Sequence, residues 1–407
     1  MAGDMAAEGR WRFLALICAA TLMSLTTWFS ATAVLPVLID RWALGTSAAA
    51  WLTNGVQAGF VTGALLSAFL GLGDRWPHGA MMAGAAALAC AANLLLLAEP
   101  GIALAIAARI LTGVALAGVY PPAVKLIATW FRTGRGLAMG VMIGALTVGS
   151  ALPHLVRALG GGVDWRLVVL ASSVFALAAA LIFAFALKEG PYPFPRAPAR
   201  LGQIGEILRN RPVMLANGGY FGHMWELYAV WGWFLAYAQA AQAAGNPLAG
   251  GNASALTFAV IAIGFAGAAA GGWLADRIGR CHTTALALAL SGTCAIAIGF
   301  TFDGPAWLFT TVALVWGVSV IADSAQFSAA VTELSEPGWV GSALALQMGV
   351  GFAITIGAIW LIPLVAQWAG SWRWVFLVLV PGPVFGAMAM LKLRRLPEAA
   401  RMAGGLR

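Results

Sequence analysis

The chain has 407 residues, of which 61% are hydrophobic and only 9% are charged. A soluble domain of this size could not cover its surface with so few charged groups, so the composition excludes an ordinary soluble enzyme. Apolar runs of roughly 20 residues recur along the chain, and a helix of that length crosses a bilayer. The composition therefore predicts an all-α polytopic membrane protein, with the lipid bilayer as its main surroundings.

Twelve apolar segments are predicted to cross the membrane, and we number them span 1 to span 12. They lie at residues 13–38, 49–71, 80–98, 101–128, 137–159, 167–187, 212–240, 253–275, 283–302, 305–329, 342–366 and 374–391. The start of the chain resembles a signal peptide, because Arg10 and Arg12 precede an apolar run. That run continues to Ile39, so we expect an uncleaved first span.

The one long polar connection in the sequence lies between spans 6 and 7, at residues 188–211. It opens with prolines that cannot continue a helix, namely Pro191, Pro193, Pro195 and Pro198. It closes with Leu201, Ile204, Ile207 and Leu208 on one face, which predicts a short amphipathic helix at the membrane surface. The chain is thus predicted to consist of an N-terminal six-helix bundle (1–187), a cytoplasmic linker (188–211) and a C-terminal six-helix bundle with a cytoplasmic tail (212–407).

The basic residues predict the orientation. With the N-terminus inside, eighteen of the 23 basic residues fall on the cytoplasmic side. Only four fall on the opposite side, and these are Arg41, Arg157, Arg166 and Arg373. Cytoplasmic loops of membrane proteins carry the excess of Lys and Arg. Both termini are therefore predicted in the cytoplasm, and this placement explains the net charge of +8 without a nucleic-acid partner.

The two halves of the chain repeat each other. Three dipeptides recur at offsets of 202, 204 and 207 residues: Asp74-Arg75 with Asp276-Arg277, Gly113-Val114 with Gly317-Val318, and Trp165-Arg166 with Trp372-Arg373. Each pair occupies the same place in its set of six spans. The repetition predicts a duplication of six spans, and two such repeats around a central site are a transporter architecture.

A loop motif after span 8 connects the chain with a known family. Its members are Gly272, Leu274, Asp276, Arg277, Gly279 and Arg280. They match the Gly-x-Leu-x-Asp-Arg-x-Gly-Arg motif of the major facilitator superfamily, which the chain resembles over nearly its whole length. The first copy, after span 2, keeps Asp74 and Arg75 but has Pro77 and His78 where the family has Gly and a basic residue.

The resemblance implies a specific architecture and a gate. Twelve transmembrane helices would form two six-helix repeats, and spans 1, 4, 7 and 10 would line a central cavity. The motif's carboxylate would face a helix N-terminus of the other half, which favours negative charge, and latch one gating state. The alternative is a solvated turn with snorkelling arginines. Within the family, residues 322–328 and 351–353 resemble the bacterial nitrate/nitrite porter and cyanate permease group, although spans 2 and 8 lack that group's anion-binding arginines.

Glycines recur at short spacing in spans 2, 5, 8 and 11. They are Gly55, Gly59 and Gly63; Gly136, Gly140 and Gly144; Gly264, Gly267, Gly271 and Gly272; and Gly349, Gly351 and Gly357. Small residues allow helices to approach closely in lipid. The resemblance implies that these four spans form the sliding contact between the halves, and general helix packing is the alternative.

Three titratable residues in the second half are candidates for proton coupling. Glu226 lies near the middle of span 7, where a carboxylate is costly and therefore indicates function. Burial disfavours its charged form, so it could take up and release a proton near neutral pH. His223, one turn earlier, is a relay partner or a packed neutral ring. Glu226 could instead be structural and bonded to Tyr220 or His223, and Asp323 in span 10 is a rival coupling site or a gate near the inner mouth.

Arg109 in span 4 is the predicted anion-binding residue. Its guanidinium group can bind a carboxylate or phosphate in a bidentate manner. The alternative is that Arg109 ties span 4 to a backbone carbonyl. The other candidate solute-binding residues are Trp28, Tyr120, Tyr220, Tyr228 and Gln347.

These features predict a secondary active transporter in the inner membrane of a bacterium. It would move a small organic, anionic solute by alternating access, coupled to protons, as a monomer without cofactor or metal. One alternative is a proton antiporter that exports an amphipathic or toxic compound. A distant alternative is an intramembrane enzyme, but Ser150 and His154 share one helix, whereas a protease dyad needs two.

Overall fold

The helices of the chain follow the predicted spans. The computed structural model describes residues 2–70, 76–131, 135–160, 164–192, 204–336 and 339–407, and these residues contain no strand. Helices satisfy their own backbone hydrogen bonds, as a hydrocarbon environment requires. Within the described residues, nine helical segments are long and apolar enough to cross a membrane. Spans 1, 2 and 7 are helical too but are interrupted or richer in polar side chains. The predicted all-α polytopic membrane protein is confirmed.

The first half contains spans 1 to 6. Their helices are Ala2–Leu25, Ser30–Ala33 and Leu35–Trp42 (span 1), Thr46–Leu70 (span 2), His78–Leu94 with the 3-10 turn Leu95–Ala98 (span 3), Ile102–Ala117 and Tyr120–Trp130 (span 4), Arg135–Leu159 (span 5) and Trp165–Phe185 (span 6). The linker includes the helix Ile204–Arg209, and Ile207 is buried as its amphipathic pattern requires. Pro193, Pro195, Pro198 and Leu201 lie outside the described residues.

The second half contains spans 7 to 12. Their helices are Arg211–Ala243 (span 7), Ala253–Ala262 and Gly264–Ile278 (span 8), Arg280–Phe300 (span 9), Ala306–Ala322 and Ser324–Leu334 (span 10), Val340–Ala369 (span 11), and Val375–Leu379 with Pro381–Arg394 (span 12). A 3-10 turn at Ala249–Gly251 precedes span 8. Two further turns, Pro397–Arg401 and Ala403–Gly405, fold the tail against this half.

Breaks interrupt spans 4 and 10 at equivalent places in the two repeats. Span 4 breaks at Gly118 and Val119, and Pro121 and Pro122 begin its second helix because proline needs no N–H partner there. Span 10 breaks at Asp323, where no proline is present. A break exposes backbone polar groups that must find other partners inside a membrane. Polar side chains are therefore needed at these two breaks, which we call joints, to bind the free backbone groups.

Glycines bring helices together within each half. A Cβ atom on Gly113 of span 4 would overlap the carbonyl oxygen of Val56 in span 2. In the second half, a Cβ atom on Gly271 of span 8 would overlap the carbonyl oxygen of Ala322 in span 10. The glycines of spans 2 and 8 thus mainly face spans 4 and 10 of their own half, which favours general helix packing for these residues. The spans themselves also meet the other half, because span 2 packs against span 11 and span 8 against span 5. Span 5 behaves as expected, since Gly144 lies against Phe265 of span 8.

Adjacent glycines in span 8 provide a matched test of this packing. Gly271→Ala is expected to lower the free energy of unfolding by about 1–3 kcal/mol, because the added methyl group forces spans 8 and 10 apart. Gly272→Ala is the control, since its methyl group would meet no described atom within 4 Å. Thermal unfolding of both purified variants measures the difference, and equal melting temperatures would contradict the close approach.

Candidate functional site

Glu226 is buried within the second half. Its side chain is 1% exposed, and span 7 directs it toward spans 9 and 10. Trp316 Nε1 donates to Oε1 at 2.7 Å, and the hydroxyl of Ser291 donates to Oε2 at 2.8 Å. The predicted alternative partners, Tyr220 and His223, do not bind it. The i, i+3 spacing placed Glu226 and His223 on one face but could not tell which helix that face meets.

Ser291 allows the Glu226 carboxyl to hold or to lose a proton. The Ser291 Oγ also lies 3.1 Å from the carbonyl oxygen of Leu288. A hydroxyl group has one donor and two acceptor lone pairs. When Glu226 is charged, Ser291 can donate to it; when Glu226 is protonated, Ser291 can accept from it and donate to Leu288. Both forms of the carboxyl therefore have partners without any backbone movement.

His223 and Asp323 form a buried pair at the joint of span 10. His223 Nδ1 lies 2.9 Å from Asp323 Oδ1, and each side chain is 1% exposed. Asp323 was predicted near the inner mouth, where its side chain could reach water. It is instead enclosed, because its position at the break turns it toward span 7. Within the described residues neither His223 Nε2 nor Asp323 Oδ1 has an aligned hydrogen-bond partner, so the two side chains form a close N···O contact.

Arg109 is fully buried and its guanidinium group is occupied. Span 4 directs it against the break in span 1 between Leu25 and Ser30. Its N–H groups donate to the carbonyl oxygens of Leu52, Thr27 and Trp28 and to the side chains of Ser30 and Asn93. A guanidinium group has five N–H donors. This geometry favours the structural alternative, in which Arg109 binds the carbonyl groups that the break releases.

An aromatic cluster joins the two halves. We use this name for Trp28 and Phe60 of the first half and Tyr228 and Phe352 of the second. Trp28 lies 5.0 Å from Phe60 and 5.6 Å from Tyr228, between ring centroids, and Phe60 lies 4.5 Å from Phe352. All four side chains are buried. The predicted residues Trp28 and Tyr228 are thus brought together, whereas Tyr120 is half-buried and does not stack on these rings within the described part of the chain.

Two other predicted solute-binding residues lie within the second half. Gln347 donates to Asn217 Oδ1 at 3.1 Å and accepts from the Ser328 hydroxyl at 3.0 Å, which ties span 11 to spans 7 and 10. Tyr220 packs against Gly351, where a Cβ atom would overlap its ring. In this conformation both side chains hold neighbouring helices together.

The loop motif after span 8 contains an ion pair between Arg280 and Glu333, which we call the clamp. Arg280 binds Glu333 through two N–H···O contacts of 2.8 and 2.5 Å, and it also donates to Gln326. Gly279 has φ +87°, and a Cβ atom there would overlap the carbonyl oxygen of Arg407. The clamp therefore fixes the end of span 10 and the tail to the start of span 9.

The other motif residues are more open. Asp276 is exposed, Gly272 is partly buried, and the Arg277 guanidinium lies 3.8 Å from the ring centre of Trp273. The expected role of Asp276 as a latch stays a prediction. Asp74 and Arg75 of the first copy lie outside the described residues.

The four basic residues predicted on the outer side all have partners. Arg41 and Arg166 both bind Glu99, Arg373 pairs with Asp303, and Arg157 donates to the carbonyl oxygen of Ala33. The hydrogen bond from Arg41 lowers the pKa of the Glu99 carboxyl. Because the folded-state pKa is lowered, any stabilisation by this cluster is present above the ordinary glutamate pKa of 4.5 and is lost in acid.

Several functional candidates were missed in the sequence. The missed side chains each place a polar group in an apolar span: an indole N–H group in Trp316, a hydroxyl in Ser291 and amides in Asn54 and Gln57. That contrast is the signal that could have identified them. Gln57 is completely buried. The sequence alone does not tell which helix such a side chain faces.

A polytopic helical fold in two halves, with titratable side chains buried inside its spans, is typical of membrane transporters. The family model of the Major Facilitator Superfamily matches residues 17–351. The chain therefore belongs to the Major Facilitator Superfamily, a family of transporters, and is a multi-pass membrane protein. The predicted family and fold are confirmed.

Known proteins agree with this assignment. The MFS-type transporter pytF of Aspergillus terreus is 29% identical over 185 residues, which cover 43% of this chain and 58% of that protein. The chain thus spans less than two thirds of that relative. A bacterial homologue of the human lysosomal transporter Spinster shares the fold, with a TM-score of 0.71 at 14% identity over 95% of this chain and 99% of the other for its inward-facing, unoccupied structure. Its inward-facing, occupied structure gives 0.68 over 95% and 97%.

Proposed function

We propose that the protein is a secondary active transporter that moves a small organic solute by alternating access and couples this movement to protons. The observation that carries the proposal is the set of three titratable side chains on one side of span 7. Glu226, His223 and Asp323 are each 1% exposed and each contacts span 10 or belongs to it. Buried ionisable groups in membrane spans mark ion and substrate pathways.

Proton movement at Glu226 would use the Ser291 hydroxyl. Loss of the proton leaves a carboxylate with two donors, Ser291 and Trp316. Uptake of the proton removes a charge from the interior and reverses the hydrogen bond with Ser291. Because a buried charge is costly, protonation lowers the free energy of conformations in which water cannot reach Glu226.

Movement of span 10 would follow from the pair at its joint. Asp323 separates the helices Ala306–Ala322 and Ser324–Leu334, so a change in its charge acts at the point where the span can bend. The contact of 2.9 Å between His223 Nδ1 and Asp323 Oδ1 is an ion pair when the imidazole is protonated and the carboxyl is ionised. Opposite charges at this distance attract strongly in a poorly polarisable interior. The pair therefore links protonation with the angle between the two parts of span 10.

The solute would pass between the halves where the aromatic cluster closes them. Phe60 packs against Phe352 and Trp28 against Tyr228, so rings of the two halves are in contact at this level. Alternating access therefore requires these rings to part. The anionic solute expected from Arg109 receives no support from the geometry, because other groups of the first half occupy its donors.

The orientation and organisation complete the proposal. Both termini and the linker 188–211 face the cytoplasm of a bacterial cell, and 1–187 and 212–407 form the two bundles. The excess of basic residues on the predicted inner side supports this orientation. The protein acts as a monomer in the inner membrane.

Replacement of Glu226 tests the proposal. Proteoliposomes that contain a pH-sensitive dye are given a panel of small organic amides and acids, and proton flux is recorded. In the wild type we expect a solute-dependent flux, and in Glu226→Gln we expect at least about a tenfold loss of it, with solute exchange down a gradient retained. Glu206→Gln changes an exposed carboxylate of the linker and is the matched control. An unchanged proton flux in Glu226→Gln would refute the assignment.

A further inference from the structure

A set of buried polar side chains at the contact between the halves has unpaired atoms. Within the described residues, Gln57 Oε1 and Nε2, Asn54 Oδ1, Trp28 Nε1 and Trp231 Nε1 have no hydrogen-bond partner. These four side chains are at most 2% exposed. Buried polar groups nearly always have hydrogen bonds, so five unpaired atoms in one region need an explanation.

The two indole rings belong to one chain of aromatic contacts. Trp28 of span 1 lies 5.6 Å from Tyr228 of span 7, between ring centroids. Tyr228 in turn lies 5.6 Å from Trp231. The Tyr228 ring therefore contacts both indole rings, one from each half.

Gln57 and Asn54 lie on the face of span 2 that meets this cluster. Asn54 Nδ2 donates to the carbonyl oxygen of Ile356 in span 11, and Phe60 stacks on Trp28 and Phe352. Gln57 lies three residues from Asn54 and three residues from Phe60, and side chains at such spacing share one helical face. Gln57 therefore lies on the face of span 2 that meets spans 1 and 11.

We propose that these atoms recognise an uncharged, planar solute that carries a hydrogen-bond donor beside an acceptor, as a primary amide does. The inference rests on the proposed function and specifies its solute class. The oxygens of Gln57 and Asn54 require donors from the solute, while the Gln57 NH₂ group and the indoles require an acceptor. The rings of the aromatic cluster offer flat faces for a planar group.

Charged solutes fit this set of atoms less well. A carboxylate has no donor, so it would leave both amide oxygens unpaired and beside a negative charge. An ammonium group has no acceptor and would leave the indole N–H groups unpaired. Among the described residues, the buried charges of spans 4 and 7 are already engaged, because Arg109 is held by the span 1 break and Glu226 is bound by Ser291 and Trp316.

The unpaired atoms also explain how a solute would favour closure. Here the halves are in contact, and these polar atoms lie in buried side chains without a partner among the described residues, which raises the free energy of the closed state without solute. A solute that supplies the missing hydrogen bonds lowers the free energy of the closed state only. A ligand shifts a conformational equilibrium by its difference in affinity for the two states. These unpaired polar atoms thus make closure of the two halves depend on the bound solute.

The first test needs no solute. In Gln57→Leu an unpaired buried amide is replaced by an apolar group of similar size, so the melting temperature of the purified protein is expected to equal or exceed that of the wild type. Gln347→Leu is the matched control, because its amide is hydrogen-bonded to Asn217 and Ser328 and its loss is expected to lower the melting temperature. A melting temperature of Gln57→Leu below that of the wild type would overturn the proposal.

The second test addresses the solute class. Benzamide, nicotinamide and salicylamide are compared with the corresponding carboxylates for their ability to raise the melting temperature in detergent. We expect at least one amide to stabilise the wild type and to bind Gln57→Leu at least about tenfold more weakly. Stabilisation by carboxylates alone, by none of the compounds, or equally in Gln57→Leu would overturn the assignment. Binding of a solute to the protein in detergent requires no proton gradient. A negative result here can therefore be distinguished from a negative result in the proton-flux test.

Discussion

Arg109→Ala is expected to lower the free energy of unfolding by at least about 3 kcal/mol, because a buried acceptor without a partner costs about 1–3 kcal/mol. The substitution removes the guanidinium donors from the carbonyl oxygens of Thr27, Trp28 and Leu52. The carbonyl oxygen of Thr27 would keep only the Ser30 hydroxyl at 3.1 Å. The carbonyl oxygens of Thr27 and Trp28 lie at the break in span 1, where the helix cannot satisfy them itself. Thermal or denaturant unfolding in detergent measures the effect.

Arg157→Ala is the control for this substitution. Arg157 is partly buried and donates to one carbonyl oxygen, that of Ala33, so we expect a clearly smaller loss of stability. The comparison also separates the two roles considered for Arg109. If Arg109→Ala folds as stably as Arg157→Ala and loses affinity for anions, the residue binds a solute and does not support the break.

Replacing Asp323 alone is expected to lower the free energy of unfolding, and replacing His223 as well is expected to restore most of it. Asp323→Leu alone should lower stability by about 3–5 kcal/mol, because it removes one partner of a buried pair. The double variant His223→Leu/Asp323→Leu should recover most of that loss, since apolar replacement of both partners is often neutral. Proton-coupled flux should be absent from both variants, because neither retains the titratable pair.

The double variant therefore separates stability from function. Unfolding curves and solute-dependent proton flux are measured on the same preparations. A double variant as unstable as Asp323→Leu would show that the two side chains do not compensate each other. Normal proton coupling in a stable double variant would exclude the pair from the transport mechanism.

Charge in an apolar span was sufficient to locate much of the candidate site. Glu226, His223 and Asp323 could be recognised because burying a titratable group in a membrane is costly. Their partners could not be, since the contact of His223 with Asp323 joins residues 100 positions apart. The spacing of Glu226 and His223 defines one face of span 7. Only the packing of span 7 against spans 9 and 10 defines what that face meets.

The breaks explain why Arg109 was harder to interpret. Pro121 and Pro122 are a visible signal for the joint in span 4, but the break in span 1 contains neither proline nor glycine. An arginine that supports such a break has the same sequence appearance as one that binds an anion. The glycines of spans 2 and 8 pose the same difficulty, because a small residue indicates a close approach without indicating the neighbour.

The neutral polar side chains carry the least sequence signal. Gln57 and Gln347 are both glutamines in apolar spans and both are completely buried. The structure separates them, because Gln347 has partners on spans 7 and 10 whereas the Gln57 amide has none within the described residues. Their functional difference depends on partners distant in sequence.

Alternating access driven by protons is tested most directly by distances between the halves. Spectroscopic labels on cysteines at Leu159 and Trp368 report one end of the molecule, and labels at Leu137 and Arg395 report the other; all four positions are exposed. The native cysteines, Cys18, Cys90, Cys281 and Cys294, are buried and should not react. On a change from about pH 8 to about pH 5.5, one distance should lengthen while the other shortens, and Glu226→Gln should weaken this response. Two distances that stay constant, or that change in the same direction, would contradict proton-driven alternating access.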